Sequence, residues 1–171
     1  MSNTRRAKGV PVQRSSPFGS GLTVHRLLVE LLESDPVIWR RLEVRSDCPL
    51  SALHWVLQTA FAWENAHPWQ FAKVRKNRIG AEVAATHTVA AAMPAKGDKL
   101  VYTYDFGDAW EHLIVVEDVL AASDDAHTQY PQCLAGANAA PPDDCGGVWG
   151  YEELREILAD PAHPEHEERL E

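Results

Sequence analysis

Leu100-Val-Tyr-Thr-Tyr-Asp-Phe-Gly-Asp-Ala-Trp-Glu-His-Leu-Ile-Val-Val-Glu-Asp-Val-Leu120 reads as two strands folded back on one another. Leu100 to Phe106 is rich in the β-branched and aromatic residues that suit a pleated surface, Gly107-Asp108 supplies a turn, and Trp110 to Leu120 returns as the antiparallel partner. Side chains on a strand alternate with a period of two, so Asp108, Trp110 and His112 fall on one face. The turn carries more chemistry than a hairpin needs: Tyr102, Tyr104, Asp105, Asp108, Trp110 and His112 surround one glycine.

Working towards the N-terminus, the pattern repeats. Thr23 to Leu32 reads as a strand, Ser34-Asp-Pro36 as a turn, and Val37 to Val44 as a second strand with Ile38, Arg40, Leu42 and Val44 on one face. Between these hairpins, Leu50, Leu53, Leu57, Ala60 and Phe61 recur with helical spacing, which predicts a helix packed on the sheet. Asp47 is the expected cap and Pro49 suits the first turn. His54 beside that stripe reads as a packed, hydrogen-bonded residue. Trp69 to Val74 is a further strand, and Lys73, Arg75, Lys76 and Arg78 make a basic tip around Asn77. Residues 80–95 are alanine-rich and show no clear period.

Towards the C-terminus, residues 121–147 read as one long loop containing Tyr130-Pro-Gln-Cys133 and Pro141-Pro-Asp-Asp-Cys145. Gly146, Gly147 and Gly150 allow a tight start to a helix over Trp149–Ala159, with Tyr151, Leu154 and Leu158 facing inward and Asp143 and Asp144 suited to its positive end. Another helix begins near Asp160 and reads as truncated at Glu171. The expected fold class is α+β: a mainly antiparallel sheet with one packed helix and C-terminal helices, forming a single domain over residues 22–171. Residues 1–21, with Arg5, Arg6, Lys8 and Arg14, read as a disordered basic arm.

The formal net charge is −9, and outside residues 1–14 twelve basic side chains face 25 acidic ones, a net of −13. Such a body repels phosphate backbones, so strong non-specific DNA binding by the folded part is not expected. No apolar run approaches the roughly 20 residues of a membrane helix, and no apolar stretch follows the basic start as in a signal peptide, so no membrane association and a cytoplasmic location are expected. Three cysteines, Cys48, Cys133 and Cys145, do not suggest a disulfide framework. Cys133 and Cys145 are compatible with a loop staple, with two metal ligands, or with two buried thiols. Were the long loop to fold over the hairpin, His112, Cys133 and Cys145 with an Asp would suit zinc. The competing reading has Asp105 and Asp108 accepting from turn N–H groups and His112 bonded to a backbone carbonyl.

Six ordered blocks carry a resemblance: Ile38-Trp-Arg-Arg-Leu-Glu-Val44, Leu53-His-Trp-Val-Leu-Gln-Thr-Ala-Phe-Ala-Trp63, His67-x-x-Gln-Phe71, Gly97-Asp-Lys-Leu-x-Tyr-x-Tyr-Asp-Phe-Gly-Asp-x-Trp-Glu-His112, Pro131-x-Cys-Leu-x-Gly136 and Pro141-Pro-Asp-Asp-Cys-Gly-Gly-x-Trp-Gly-Tyr151. From about residue 22 onward the chain resembles the plasmid pRiA4b ORF-3-like family. The resemblance implies an α+β domain and an association with plasmids and insertion elements, where some members carry a resolvase-like label, but no established chemistry. Members commonly have a His two residues before the Gln-Phe pair, where this chain has Pro68, and tend to continue past Leu170-Glu171. Asp105-Phe-Gly shares its letters with the kinase metal-binding triplet, but the chain lacks the Gly-rich and His-Arg-Asp loops of a kinase. A serine-recombinase reading lacks an Arg cluster around its candidate serines.

Three function classes follow. The first is a non-catalytic interaction module for a protein or nucleic-acid partner, with Tyr104, Asp105, Asp108, Trp110, Trp149 and Tyr151 as its binding surface. The second is a metal-dependent enzyme, a zinc hydrolase for example, using Asp105, Asp108 and His112, and the third a structural domain with a metal or disulfide staple, the metal ligands being His112, Cys133 and Cys145. The interaction module is the preferred expectation, and the chain is not expected to be an enzyme.

Overall fold

The computed structural model describes residues 21–76, 78–125 and 127–170. The expected basic arm therefore lies, but for Gly21, outside the described residues. In chain order the elements are β1 (Thr23–Leu31), β2 (Ile38–Arg45), α1 (Leu50–Phe61), β3 (Trp69–Arg75), β4 (Arg78–Glu82), α2 (Val89–Ala92), β5 (Lys99–Tyr104), β6 (Trp110–Ala121), β7 (Gln132–Ala137), α3 (Gly147–Ala159) and α4 (His166–Arg169). The seven strands form one sheet in the order β4-β3-β5-β6-β1-β2-β7, and every neighbouring pair is antiparallel. This is the α+β architecture expected.

One face of the sheet is apolar because the period-two pattern of five strands points the same way. Leu27, Val29 and Leu31 of β1, Ile38, Leu42 and Val44 of β2, Phe71 of β3, Leu100, Tyr102 and Tyr104 of β5, and Trp110, His112, Ile114 and Val116 of β6 are all buried. Leu50, Leu53, Leu57 and Phe61 of α1 join them in the core, giving a helix layer on a sheet layer. The other face is polar and laced by Arg26–Glu43 at 2.7 Å and Arg41–Glu117 at 2.6 Å.

Four details depart from the sequence reading. Asp47 does not cap α1 but pairs with Arg45. The helix has no need of it, because its first free N–H groups, on Leu50 and Ser51, donate to the carbonyls of His87 and Ala85. The long loop contains β7, which pairs with β2. The alanine-rich segment contains the end of β4 and all of α2. In α3 Gly147 and Ile157 are buried and Tyr151 and Leu154 half-buried, whereas Leu158 is 36% exposed, so the inward face ends on Ile157 and not on Leu158 as expected.

Candidate functional site

The hairpin turn between β5 and β6 spans Asp105 to Ala109. Asp105 and Ala109 both adopt left-handed backbone, and Ala109 donates its N–H to the Asp105 carbonyl across the turn. Aspartate tolerates that conformation better than most residues because its side chain bonds locally. Here Asp105 Oδ1 accepts from Gly107 N at 2.8 Å, and the Asp105 N–H donates to the Pro68 carbonyl.

Two other segments close on this turn. The chain leaves α1 through a left-handed Ala62, and Trp63 Nε1 donates to the Pro141 carbonyl at 2.8 Å. Glu64 N donates to Asp143 Oδ2 at 3.0 Å, and Ala66 N to the Tyr104 hydroxyl. From the other side, Asp108 Oδ2 accepts from Gly146 N at 3.1 Å. Gly147 lies against the Asp108 carbonyl, where an added Cβ would stand 3.0 Å from that oxygen, and its φ of +70° is itself a glycine conformation. The 63–67, 105–108 and 141–147 segments thus form one corner at the start of α3.

The corner gathers carboxylates around one imidazole. His67 Nε2 lies 3.0 Å from Asp144 Oδ1 and 3.7 Å from Asp105 Oδ2. Asp105 is buried, whereas the Asp144 side chain is 76% exposed. Cys145 sits beside them, and burial, reinforced by the neighbouring Asp108, Asp143 and Asp144, pushes its thiol up to about 11. It stays protonated at neutral pH.

Of the residues expected to act together, Asp105, Asp108 and Cys145 meet here. His112 lies beneath them in the core, fully buried and edge-on to the stacked rings of Phe61 and Trp63, with Nδ1 on the Tyr102 carbonyl. Cys133 is exposed on β7 opposite Leu42. Among the described residues the grouping of three metal-ligand atoms within 4.8 Å of one another is His67, Asp105 and Asp144; His112, Cys133 and Cys145 do not form one, because β7 carries Cys133 to the sheet edge. All three cysteines are free thiols. Tyr104 and Trp110, expected on a binding surface, are 0% and 1% exposed, since their strand register points them at the core, where both rings pack with Trp63 just beyond α1. Trp149 is 83% exposed and Tyr151 half-buried, with its hydroxyl donating to the Ala139 carbonyl. Asp143 and Asp144 precede α3 as expected, and no side chain caps its first turn. The sequence signal for His67 and Asp144 was their presence in two matching blocks; nothing in their spacing joins them.

His54 behaves as expected. Its Nε2 lies 2.7 Å from the acceptor Asn65 Oδ1 and therefore carries the proton. Nδ1 then accepts from the Tyr102 hydroxyl at 2.8 Å, and that hydroxyl accepts from Gln58 Nε2 at 3.0 Å.

A second surface feature lies at the β7 edge of the sheet. α1 does not extend over β7, and the gap is a mainly apolar groove of about 520 Å³ whose lining includes Leu42, Trp55, Val56 and Cys133 with the polar Thr59 and Gln132. Trp55 is 57% exposed on its rim.

Comparison with known proteins places the chain among relatives. It is 37% identical over 159 residues to the uncharacterized protein y4hQ of Sinorhizobium fredii, covering 87% of this chain and 80% of that protein. The crystal structure of a protein of unknown function from Methanosarcina mazei Go1 is similar at a TM-score of 0.75 and 32% identity, covering 88% of this chain and 89% of the other. Residues 23–171 match the sequence profile described as plasmid pRiA4b ORF-3-like protein. With the profile spanning nearly all the described residues, the chain belongs to the plasmid pRiA4b ORF-3-like family.

Proposed function

We propose that the chain is a non-catalytic interaction module that captures an extended, apolar segment of a partner protein along the free edge of β7 and in the adjoining groove. One observation carries this reading: an uncharged edge strand beside an apolar groove. Edge strands are commonly protected by charge or proline, because their unpaired N–H and C=O groups template further strands. The opposite edge, β4, has that protection: it begins at Arg78, ends at Glu82 and is exposed throughout. β7 reads Gln-Cys-Leu-Ala-Gly-Ala, has one hydrogen-bonded neighbour, β2, and carries no charge. A strand added there would gain main-chain hydrogen bonds and set alternate side chains in the groove, as in other strand-addition complexes. Trp55 supplies the aromatic anchor that usually dominates such binding. The expected association with plasmids and insertion elements would put the partner among the proteins of those elements, in the cytoplasm.

The test is selection of random twelve-residue peptides against the full chain. Extended, alternately apolar peptides should be enriched, and Trp55→Ala and Cys133→Arg should each weaken them about tenfold or more without lowering the melting temperature. Peptides that bind both variants as well as the parent would overturn the reading. A concentration-dependent dimer lost in Cys133→Arg would also overturn it, by giving the groove to a second copy.

A further inference from the structure

The corner at the start of α3 holds an uncompensated excess of negative charge. Among the described residues, none of Asp105, Asp108, Asp143 and Asp144 makes an ion pair with lysine or arginine; Arg169, which lines a cleft together with Asp144, is paired with Glu165. His67 is the group that faces two of these carboxylates. Its Nε2 is shut from solvent and makes no hydrogen bond. Asp105 Oδ2 is too distant at 3.7 Å, and Asp144 Oδ1, although 3.0 Å away, approaches off the hydrogen-bond line. A buried ring nitrogen without a partner is costly, and one set between two carboxylate oxygens points to a missing ligand.

We propose that His67, Asp105 and Asp144 hold a divalent first-row transition-metal ion, bound by His67 Nε2, Asp105 Oδ2 and Asp144 Oδ1. One ligand atom from each of the three residues lies within 4.8 Å of the other two. Nitrogen and oxygen ligands about 2.0–2.2 Å from one ion stand roughly 3–4 Å apart, so the observed separations require little movement. One imidazole with two carboxylates suits zinc, manganese or iron, whereas magnesium and calcium favour oxygen-only sets. Asp105 is already oriented for the task, because its other oxygen is held by Gly107 N and leaves Oδ2 free to coordinate. Asp144 reaches in from the solvent side, so ions have access and further coordination positions remain open to water or an anionic ligand. Bound there, the ion would tie three separate segments together and neutralise part of the corner's charge. The site lies away from the β7 groove and stands or falls independently of it.

The experiment uses the full chain stripped by a chelator and titrated calorimetrically with zinc, manganese and magnesium chlorides, with a thermal melt at each end point. One zinc or manganese ion per chain and a raised melting temperature are expected. His67→Gln and Asp144→Asn should each weaken binding about a hundredfold, since even outer-shell partners are worth 10–100-fold. Cys133→Ser should bind as the parent does. Asp144 is exposed, so its variant should fold, and circular dichroism checks that it has. Absence of saturable binding, binding unchanged in Asp144→Asn, or magnesium bound as tightly as zinc would each overturn the assignment.

Discussion

His112 lies edge-on against the stacked rings of Phe61 and Trp63, its Nδ1 on the Tyr102 carbonyl and its Nε2 without a partner. Burial holds its pKa down at about 4, against an ordinary 6.5, with the carbonyl contacts opposing only in part. Below pH 6.5 the unfolded chain takes up a proton that the folded chain refuses. Stability is therefore complete above pH 6.5, declines as the pH falls towards 4 and levels off below, a loss of order 3 kcal/mol from this residue. His25 and His54, also shifted down chiefly by burial, act in the same direction. His112→Phe should flatten the acid limb of a stability-versus-pH curve measured by urea unfolding between pH 7.5 and 4. An unchanged slope would mean that His112 is not the main acid sensor. Its burial also explains why a residue that reads as a ligand in the sequence serves the core: strand alternation puts it on the same face as Trp110 and Ile114, and that face is covered by α1.

At the level of elements, the start of α3 is the least tolerant piece of chain. A Cβ on Gly150 would stand 1.9 Å from the Cys145 carbonyl oxygen, a backbone atom that cannot swing aside. Gly150→Ala should cost about 2 kcal/mol or more and loosen α3 ahead of the sheet, visible as faster amide exchange over residues 146–159 than in β1 or β6. Uniform exchange with an unchanged melting temperature would contradict this. The two long hairpins and α1 were legible because each has a strong period and a matching partner. β7 was not: Gln132 to Ala137 has no β-branched residue and little alternation, and it is a strand because β2 offers an edge. The same limit applied to the corner. Asp105, Asp108 and the 141–147 segment stood out for their residue types, but His67 reaches them only because Pro68 hydrogen-bonds the turn and Trp63 and Glu64 hold the 141–143 segment, contacts between residues far apart in sequence.

Across the whole molecule, charge is divided between a basic beginning and an acidic remainder, with four cations in residues 1–14 and a net of −13 elsewhere. Any DNA retention on filters should therefore come from the arm, fall with salt at a log–log slope no steeper than about −4, and vanish when Arg5, Arg6, Lys8 and Arg14 are all changed to Gln. Retention that survives those changes would point to a basic surface on the folded part, such as the β3–β4 tip. The strand order carries a different consequence. β1 lies between β2, made immediately after it, and β6, made only with residues 110–121. While the chain is still on the ribosome, α1 has only the two strands of the hairpin, out of seven, to rest on, with the far side of β1 unpaired. The N-terminal half cannot settle ahead of the remainder, so completion of the fold is a late and concerted event in synthesis.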